Sequence, residues 1–467
     1  MPDLADPSAR AAASERLAEL YAGRPIVVGP GVLAGATSAV TWLRELGCPV
    51  LVLSTGRGAG PLPALEESRI VEIVAPEVDS VTDELRLMDR VARELPPLAR
   101  AAVERFDPDR VGGWFAHPFV TTDEPIDGRP VLFGRPAAFL ALEDKMLADA
   151  VWDAAGVDRA PYAVVANEPA ALAAATDELA GPLGAVWSGD ARDGFNGAGN
   201  YVRWVVDEHD REAALGFFRP RCDRVRVMPF LEGVPCSIHG VVLPGGTAAF
   251  RPVEIATLRD PARRRFVYGG IGTTWDPPAA DREEMRGVVR RVGAHLASAH
   301  GYRGAFGVDG VLTADGFRPT ELNTRMSAGA TLVGEVDRRF FTLLQGNLVV
   351  GRDTGLTPDD LESLVPLMDA TRTGRAVAMH EGPIKVGGGV ARPLSWDGRD
   401  FAPVEAETGD TLIAADTPTG LFAKVDPCGA LVTGERLAPV TAGLLRLVDR
   451  EYGTDFGAVE AAPDVRT

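Results

Sequence analysis

Near the start of the chain, two short apolar runs are separated by a segment whose apolar residues recur at helical spacing. Residues 25–30 form a short apolar run that ends at a glycine turn, and residues 49–53 form a second apolar run. Between them, residues 38–46 carry apolar side chains at helical spacing. A strand, a helix and a strand in this order predict a parallel sheet with a right-handed crossover.

The first of these strands ends in Gly29-Pro30-Gly31, followed by Gly35. The spacing matches a dinucleotide-binding fingerprint only in part, and the second strand ends in Ser54-Thr55 without the acidic residue that would hold a ribose. The sequence therefore favours a tight strand-to-helix turn. A nicotinamide-dependent dehydrogenase is the least supported of the functions considered.

The pattern next predicts a helix over residues 136–155, which carries Lys145, and another helix over residues 281–299. Period-two alternation and short apolar runs predict strands between these helices: residues 184–187, 201–206, 224–231, 237–243 and 250–257. After residue 355, short β-like runs and one late helix near residues 439–452 follow. This mixture is typical of an α/β or α+β protein.

A β-hairpin is predicted over residues 305–325. Two alternating runs flank the sequence Ala314-Asp315-Gly316, which supplies residues suited to a turn. With a three-residue loop, Thr313 faces Phe317. A two-residue turn at Asp315-Gly316 would shift the pairing by one residue and place Asp309 and Glu321 on opposite faces.

The three-residue register places Asp309 directly opposite Glu321, with Asn323 two residues further along the same face. Opposed like charges destabilise a sheet by about 0.2–1 kcal/mol per pair, so a cation is expected between them. Two carboxylates and an amide oxygen suit Mg²⁺ shared with phosphate groups better than zinc or copper. Arg325 would then lie beside the phosphate oxygens. The alternative is an exposed hairpin face whose charges are solvated.

Composition disfavours several classes of function. The chain has 467 residues, 46% of them hydrophobic, and a net charge of −18, which predicts a globular protein of two to four domains without affinity for nucleic acid or anionic membranes. No Cys-x-x-Cys pair occurs, so we expect buried thiols at Cys48, Cys222, Cys236 and Cys428. No secretory leader or long apolar run is visible, and we expect a cytoplasmic protein.

Lysine is rare, which draws attention to Lys145. Arginine supplies nearly all the positive charge, and the other two lysines are Lys385 and Lys424; for Lys424 an ordinary surface position is the preferred interpretation. A glycine-rich loop over residues 194–200 lies between two predicted strands, where backbone N–H groups could approach an anion. A solvent-exposed hairpin turn would look similar.

The order of Lys145, the glycine loop and the hairpin resembles the ATP-grasp superfamily. The resemblance spans about residues 133–333, and its most specific part is Gly304-x-Phe306-x-x-Asp309-Gly310 with Glu321-x-Asn323-x-Arg325. Within the superfamily, Arg251-Pro252-Val253-Glu254 and residues 317–323 are most similar to carboxylate-amine ligases of the pheganomycin type, which join amino acids or peptides.

This resemblance implies an α/β fold, with α+β lobes in the ATP-grasp part. A Rossmann-like domain would cover residues 1–132 and a two-lobed ATP-grasp domain residues 133–345. A lid subdomain would lie at about residues 160–227, and a small β-rich C-terminal domain would cover residues 346–467.

The resemblance also implies roles for individual residues. Lys145 would bind the ATP phosphates, Glu232 would bind a ribose hydroxyl, and the Mg²⁺ ligands would be Asp309, Glu321 and Asn323. The other implied nucleotide contacts are Gly194, Gly197 and Gly199 over the phosphates and Pro229, Phe230 and Leu231 around adenine. The implied catalytic arginines are Arg325, which would spread developing charge, and Arg303 and Arg251, which are candidates for holding a substrate carboxylate or oxyanion.

The chain departs from the family pattern at Trp187, where many ATP-grasp enzymes have a second phosphate-binding lysine. Trp187 would either pack on adenine or belong to an ordinary core. The acidic residues that the family uses near Met228 and Pro235 are also lacking.

The function implied is an ATP- and Mg²⁺-dependent ligase that forms an amide through an acyl phosphate and joins amino acids, or an amino acid and a peptide, as small-molecule substrates in secondary metabolism. The alternatives are a carboxylase similar to biotin carboxylase and a nucleotide-binding module with a degraded site. A homodimer is also possible, since apolar stretches lie outside the ATP-grasp region.

Overall fold

A computed structural model describes residues 3–197, 199–387, 389–405 and 409–466. These residues form three sheets with helices packed against them. Within the described ranges, none of the helices combines the length and the apolar character that crossing a membrane would require.

The N-terminal sheet is parallel and has five strands in the order β3-β2-β1-β4-β5. Its strands are β1 (Ile26–Val32), β2 (Val50–Gly56), β3 (Ile70–Glu72), β4 (Gly113–Phe115) and β5 (Val131–Phe133), and its helices are α1 (Pro7–Ala18), α2 (Leu33–Glu45), α3 (Val81–Arg93) and α4 (Pro97–Phe106). The predicted strand-helix-strand unit is present. Helix α2 begins five residues earlier than predicted because it follows β1 directly.

The turn inside β1 is tight, as predicted. Gly29 has φ +106°, and a Cβ at this position would lie 2.5 Å from the carbonyl oxygen of Leu53. Only glycine fits so close to the neighbouring strand. The glycine at this position therefore serves packing between strands.

The predicted helix over residues 136–155 is divided into two helices, α5 (Ala137–Ala141) and α6 (Lys145–Ala154). Asp144 causes the break, because its carboxylate accepts a hydrogen bond from the Met146 backbone N–H (3.0 Å) and caps a new helix. Lys145 consequently lies in the first turn of α6.

A second sheet of four antiparallel strands has the order β6-β9-β7-β8. It contains β6 (Ala163–Ala166), β7 (Ala185–Gly189), β8 (Val202–Val205) and β9 (Arg224–Pro229), with α7 (Pro169–Leu179) and α8 (Glu208–Phe218) packed on one face. Because side chains alternate along a strand, the other face is free to border a cavity.

The third sheet has eleven strands and passes through both the central and the C-terminal regions. Its strands are β10 (Val234–Leu243), β11 (Gly246–Asp260), β12 (Arg265–Gly272), β13 (Gly304–Thr313), β14 (Gly316–Asn323), β15 (Gly374–Glu381), β16 (Val390–Trp396), β17 (Phe401–Pro403), β18 (Asp410–Thr417), β19 (Gly420–Val425) and β20 (Glu460–Ala461). The accompanying helices are α9 (Ala279–His300), α10 (Arg338–Val349), α11 (Pro358–Glu362), α12 (Val365–Ala370) and α13 (Leu437–Tyr452). Pairing of β12 with β15 joins the two regions into one continuous sheet.

Two domain limits expected from the sequence fall inside regular elements. The limit at residue 132 lies within β5, and the limit at residue 345 lies within α10. Domain boundaries usually fall in loops that few contacts cross. We therefore propose limits in the loops at residues 134–136 and 351–357 instead.

Glu254 ties the large sheet to the N-terminus of α13. It is fully buried, and it accepts hydrogen bonds from Arg436 Nε (2.7 Å) and from the backbone N–H groups of Leu437 (2.6 Å) and Ala438 (3.2 Å). A carboxylate at the positive end of the helix dipole stabilises this junction.

Glu254→Gln should lower the free energy of unfolding by about 3 kcal/mol, since it leaves Arg436 without its buried counter-charge. Urea denaturation followed by circular dichroism measures this change. Glu283→Gln is the matched control, because the Glu283 side chain is 63% exposed in its ion pair with Arg290. Equal unfolding midpoints for both variants would contradict the assigned role of Glu254.

Candidate functional site

The hairpin of β13 and β14 brings the two predicted carboxylates face to face. Asp309 pairs with Glu321, as predicted, but Thr313 pairs with Gly316 and not with Phe317. The turn is therefore the two-residue Ala314-Asp315. A β-bulge at Thr320 compensates for the shorter turn, because it adds one residue to β14 and restores the expected register beyond it.

Asp309 and Glu321 are held by different groups. Asn323 Nδ2 donates a hydrogen bond to Asp309 Oδ2 (2.8 Å), and Lys145 Nζ donates one to Glu321 Oε2. Burial, and then the charge of Glu321, raise the pKa of Asp309 to about 6. In the protein alone, the ammonium of Lys145 thus supplies part of the positive charge that the opposed carboxylates require.

The donor set at this point fits Mg²⁺. Asn323 Oδ1 is buried and has no hydrogen-bond partner among the described residues, so an acceptor oxygen beside the two carboxylates is available. Hard oxygen ligands are those that Mg²⁺ prefers, and two carboxylates with one amide leave coordination positions for phosphate oxygens and water. Within the described ranges, no group of three His, Cys, Asp or Glu residues suited to a metal is found.

Arg325 lies at the same end of the hairpin and is held on three sides. Its Cζ atom is 4.7 Å from the ring centroid of Phe119 and 5.0 Å from that of Phe195. Its guanidinium also pairs with Glu143, which Arg135 contacts as well. Burial would raise the pKa of Glu143, but the two arginines hold it below its usual value.

A cavity of about 470 Å³ lies over this hairpin, between the four-stranded sheet and the large sheet. Lys145, Asp309, Glu321 and Arg325 line one end of it. At the connection from β9 to β10, Pro229, Phe230 and Leu231 line an apolar part of the cavity; their contact with adenine stays a prediction. Such a pocket, apolar with a few convergent charged groups, is typical of a small-molecule site.

The glycine loop covers the cavity, and α3 of the N-terminal region holds it there. Thr82 Oγ1 accepts a hydrogen bond from Gly197 N–H (3.1 Å) and donates one to Gly197 O (3.0 Å). Arg86 Nε donates to Phe195 O (2.8 Å), and its Nη2 donates to Asn196 Oδ1 (2.5 Å). The backbone of the loop therefore stays close to the charged end of the cavity.

Glu381 adds a second hold on this loop. Its Oε1 accepts hydrogen bonds from Asn200 Nδ2 (3.0 Å) and from the backbone N–H of Val81 (2.9 Å). Gly197 and Gly199 line the cavity, and Gly194 lies beside Arg86. Ala198, in the middle of the loop, lies outside the described residues.

Of the two positions expected for Trp187, the structure shows the ordinary core and not a contact with the cavity. Trp187 is 2% exposed, and its Nε1 donates a hydrogen bond to Thr176 Oγ1 (2.9 Å) on α7. Strand alternation places its neighbours Val186 and Ser188 on the cavity face instead.

Two predicted arginines are not at the charged end of the cavity. Arg303 is absent from the cavity wall and donates a hydrogen bond to Tyr302 O (2.7 Å); six residues of strand, about 20 Å, separate it from Asp309. Arg251 lies on β11 and pairs with Asp369 (3.1 Å), where it lines a smaller space next to the cavity. The structure thus brings only Arg325 of the three to the carboxylate pair.

Glu232 is engaged elsewhere. Both of its carboxylate oxygens accept hydrogen bonds from Arg259 Nη1 (2.8 and 3.1 Å), and the residue is not part of the cavity wall. The predicted contact with a ribose would require this pair to separate.

Sequence reasoning missed Arg226, which lines the cavity next to β7. Arg226 pairs in register with Ser188, and its guanidinium binds both carboxylate oxygens of Asp149 (2.5 and 2.8 Å). Arg226 alternates with the apolar Val225 and Val227 along β9, and this alternation could have indicated that Arg226 lies on the opposite face of the strand. The partner Asp149 lies 77 residues away on α6, so the ion pair itself was not visible in the sequence.

Comparisons with known proteins are consistent with this architecture. No family model matches the sequence, and no curated protein matches it. Among solved structures, the carboxyaminoimidazole ribonucleotide synthase from Aspergillus clavatus, complexed with ATP, superposes with a TM-score of 0.51 at 14% identity, covering 92% of this chain and 99% of that one. The two chains share a fold. This confirms the fold class expected from the sequence.

Two further solved structures superpose with lower TM-scores. The L-amino acid ligase from Bacillus licheniformis has a TM-score of 0.49 at 13% identity, covering 86% of this chain and 93% of that one. The biotin carboxylase subunit of pyruvate carboxylase has a TM-score of 0.46 at 13% identity, covering 94% and 91%. Similarity at this level carries no argument about activity, which must come from the site itself.

Arg86→Ala should loosen the glycine loop, since it removes two hydrogen bonds to it. We expect the Gly197 amide to exchange with solvent about 10-fold faster, a loss of roughly 1.4 kcal/mol in local stability. Hydrogen exchange read by mass spectrometry measures this rate. Arg90→Ala, an exposed position on the same helix, is the control, and unchanged exchange in Arg86→Ala would show that these bonds do not hold the loop.

Asp309→Asn should stabilise the protein in the absence of divalent cations. Asp309 has a pKa of about 6 in the folded protein against an ordinary 3.8, so the folded state is favoured below the lower value and loses stability as pH rises through about 6. Above pH 7 the variant should gain roughly 2 kcal/mol, and near pH 4 far less. Urea denaturation at both pH values measures the difference.

Asp315→Asn, the same substitution at an exposed residue of the hairpin turn, is the control and should change little at either pH. An Asp309→Asn variant that is no more stable than the wild type above pH 7 would contradict the electrostatic strain assigned to the carboxylate pair.

Proposed function

We propose that this protein is an ATP- and Mg²⁺-dependent carboxylate-amine ligase, which joins amino acids or an amino acid and a peptide through an acyl phosphate. One observation carries this proposal. Opposed carboxylates, a lysine and an arginine meet at one end of a largely apolar cavity, directly beneath a held glycine loop. That arrangement suits a polyphosphate with a cation at one end and a flat apolar ring at the other.

In this proposal the adenine of ATP lies against Pro229, Phe230 and Leu231, and the triphosphate extends towards Lys145. Asp309, Glu321 and Asn323 hold Mg²⁺. When bound, the metal neutralises the charge on the β- and γ-phosphates. Lys145 would then exchange its contact with Glu321 for a phosphate oxygen.

The remaining residues position groups and exclude water. A carboxylate that attacks the γ-phosphate brings anion to anion, so the reaction depends on positioning and charge neutralisation. Arg325, held by Phe119, Phe195 and Glu143, offers its guanidinium to the oxygens of the transferred group. The held loop shields the acyl phosphate from hydrolysis.

The charges of the cavity wall favour a substrate without phosphate. In the part of the wall that the structure describes, each basic side chain pairs with an acidic one: Lys145 with Glu321, Arg226 with Asp149, Arg259 with Glu232 and Glu460, and Arg325 with Glu143. ATP itself would engage Lys145 and Arg325. This leaves no basic group dedicated to a nucleotide acceptor and supports an amino acid or peptide.

The test is ATP cleavage in the presence of Mg²⁺, pooled amino acids and hydroxylamine. The wild type should release phosphate and form amino acid hydroxamates, and Asp309→Asn or Glu321→Gln should reduce both by at least about 100-fold. Asp315→Asn should remain active. A wild type that binds ATP but forms neither phosphate nor hydroxamate would support a degraded module, and phosphate release that requires bicarbonate would support a carboxylase.

A further inference from the structure

His239 on β10 occupies a position beside the carboxylate pair that the proposed chemistry has not used. On the cavity face of the sheet, Ser237 pairs with Asp309, and His239 pairs with Gly307 on the next step along the strands. The two steps are about 7 Å apart. The imidazole is therefore one step beyond the proposed metal site.

Two glycines leave the space that the imidazole ring of His239 occupies. A Cβ at Gly307 would lie 3.0 Å from His239 Cδ2, and a Cβ at Gly329 would lie 2.2 Å from His239 Cε1. Two glycines on separate segments thus provide room for one imidazole. Any larger side chain at Gly329 would displace the ring or the segment that carries it.

Two hydroxyl groups fix the ring. His239 Nε2 is 2.8 Å from Ser327 Oγ and 3.3 Å from Ser237 Oγ. All three side chains line the large cavity. His239 is 3% exposed, and burial lowers its pKa to about 4, so the imidazole is uncharged at neutral pH. An uncharged imidazole has one acceptor nitrogen, and a neutral amine that donates to Nε2 would replace one of the serine hydroxyls there.

His239 also separates two spaces. It lines both the large cavity and a smaller space, which measures only about 20 Å³, room for a single water molecule. The smaller space cannot admit a substrate group, so a substrate in the large cavity does not extend past this ring.

We propose that His239 binds the attacking amine of the acceptor substrate and directs its lone pair at the acyl phosphate. This rests on the proposed ligase function and deepens it by naming the residue that recognises the second substrate, a neutral primary amine. The amine lone pair forms the new C–N bond, and the C–O bond to phosphate breaks. Phosphate departs with that electron pair, and the proton lost from nitrogen passes through the imidazole to the departing phosphate.

This role separates the two halves of the reaction. Hydroxylamine at high concentration is small, strongly nucleophilic and uncharged at neutral pH, so it can trap the acyl phosphate without help from a binding residue. An amino acid acceptor needs its nitrogen held and its proton removed, which contributes about 10²–10⁴-fold to such steps.

The experiment measures both products with the full-length protein. Purified wild type, His239→Ala and His239→Gln are incubated with ATP, Mg²⁺ and the twenty common amino acids, with and without hydroxylamine. Mass spectrometry quantifies dipeptides, and a colorimetric assay quantifies hydroxamates. We expect His239→Ala to lose dipeptide formation by at least about 100-fold while hydroxamate formation stays within about threefold of the wild type. His239→Gln, which retains an acceptor oxygen, should recover part of the loss.

His209→Ala, an exposed histidine of α8, is the control and should leave both products unchanged. Equal loss of hydroxamate and dipeptide in both His239 variants, with ATP affinity retained by calorimetry, would overturn the role of His239 and leave the ligase function standing. A wild type that forms hydroxamates but no amide would also overturn it. A wild type that forms neither product would overturn the ligase function and this role with it.

Discussion

The pairing of Asp309 with Glu321 is the constraint around which the rest of the site is organised. Two carboxylates on facing residues repel each other, and burial together with this repulsion raises the pKa of Asp309. Lys145, at the start of α6, compensates part of this negative charge from outside the sheet, through its hydrogen bond to Glu321. The break between α5 and α6 matters for this reason. It makes Lys145 the first residue of α6, whereas in a continuous helix Lys145 would lie in the middle. A charge arrangement that is unfavourable in the protein alone is what makes a cation favourable.

Arg325 depends on a similar arrangement of parts that are distant in sequence. Its position requires Phe119 from the N-terminal region, Phe195 from the glycine loop and Glu143 between α5 and α6. Glu143 in turn forms ion pairs with two arginines, Arg135 and Arg325. Its negative charge is therefore compensated although the carboxylate is buried. The guanidinium at the charged end of the cavity is thus oriented before any ligand arrives, which reduces the reorganisation that a transition state would require.

The sequence predicted local features well and long-range partners poorly. Alternation and turn residues identified the hairpin, and the Asp309–Glu321 pairing is correct, although a shorter turn and a bulge at Thr320 replace the predicted loop. For Trp187 the sequence left two positions open, because alternation fixes which residues share a face but not which face meets a cavity. The ion pairs of Arg226 with Asp149 and of Arg325 with Glu143 join residues 77 and 182 positions apart. No periodicity in one sequence reports such contacts.

The hold on the glycine loop has a kinetic consequence. Thr82, Arg86 and Glu381 hold the loop over the charged end of the cavity, so a ligand of that end would enter mainly while those hydrogen bonds are open. The apparent affinity for such a ligand is reduced in proportion to the fraction of molecules whose loop is open, however strong the contacts between ligand and cavity are. At high ligand concentration, the rate of binding is then set by how often the loop opens. The frequency of collisions between ligand and protein no longer limits it. The same hydrogen bonds would slow departure and so lengthen the time that a ligand stays in the cavity.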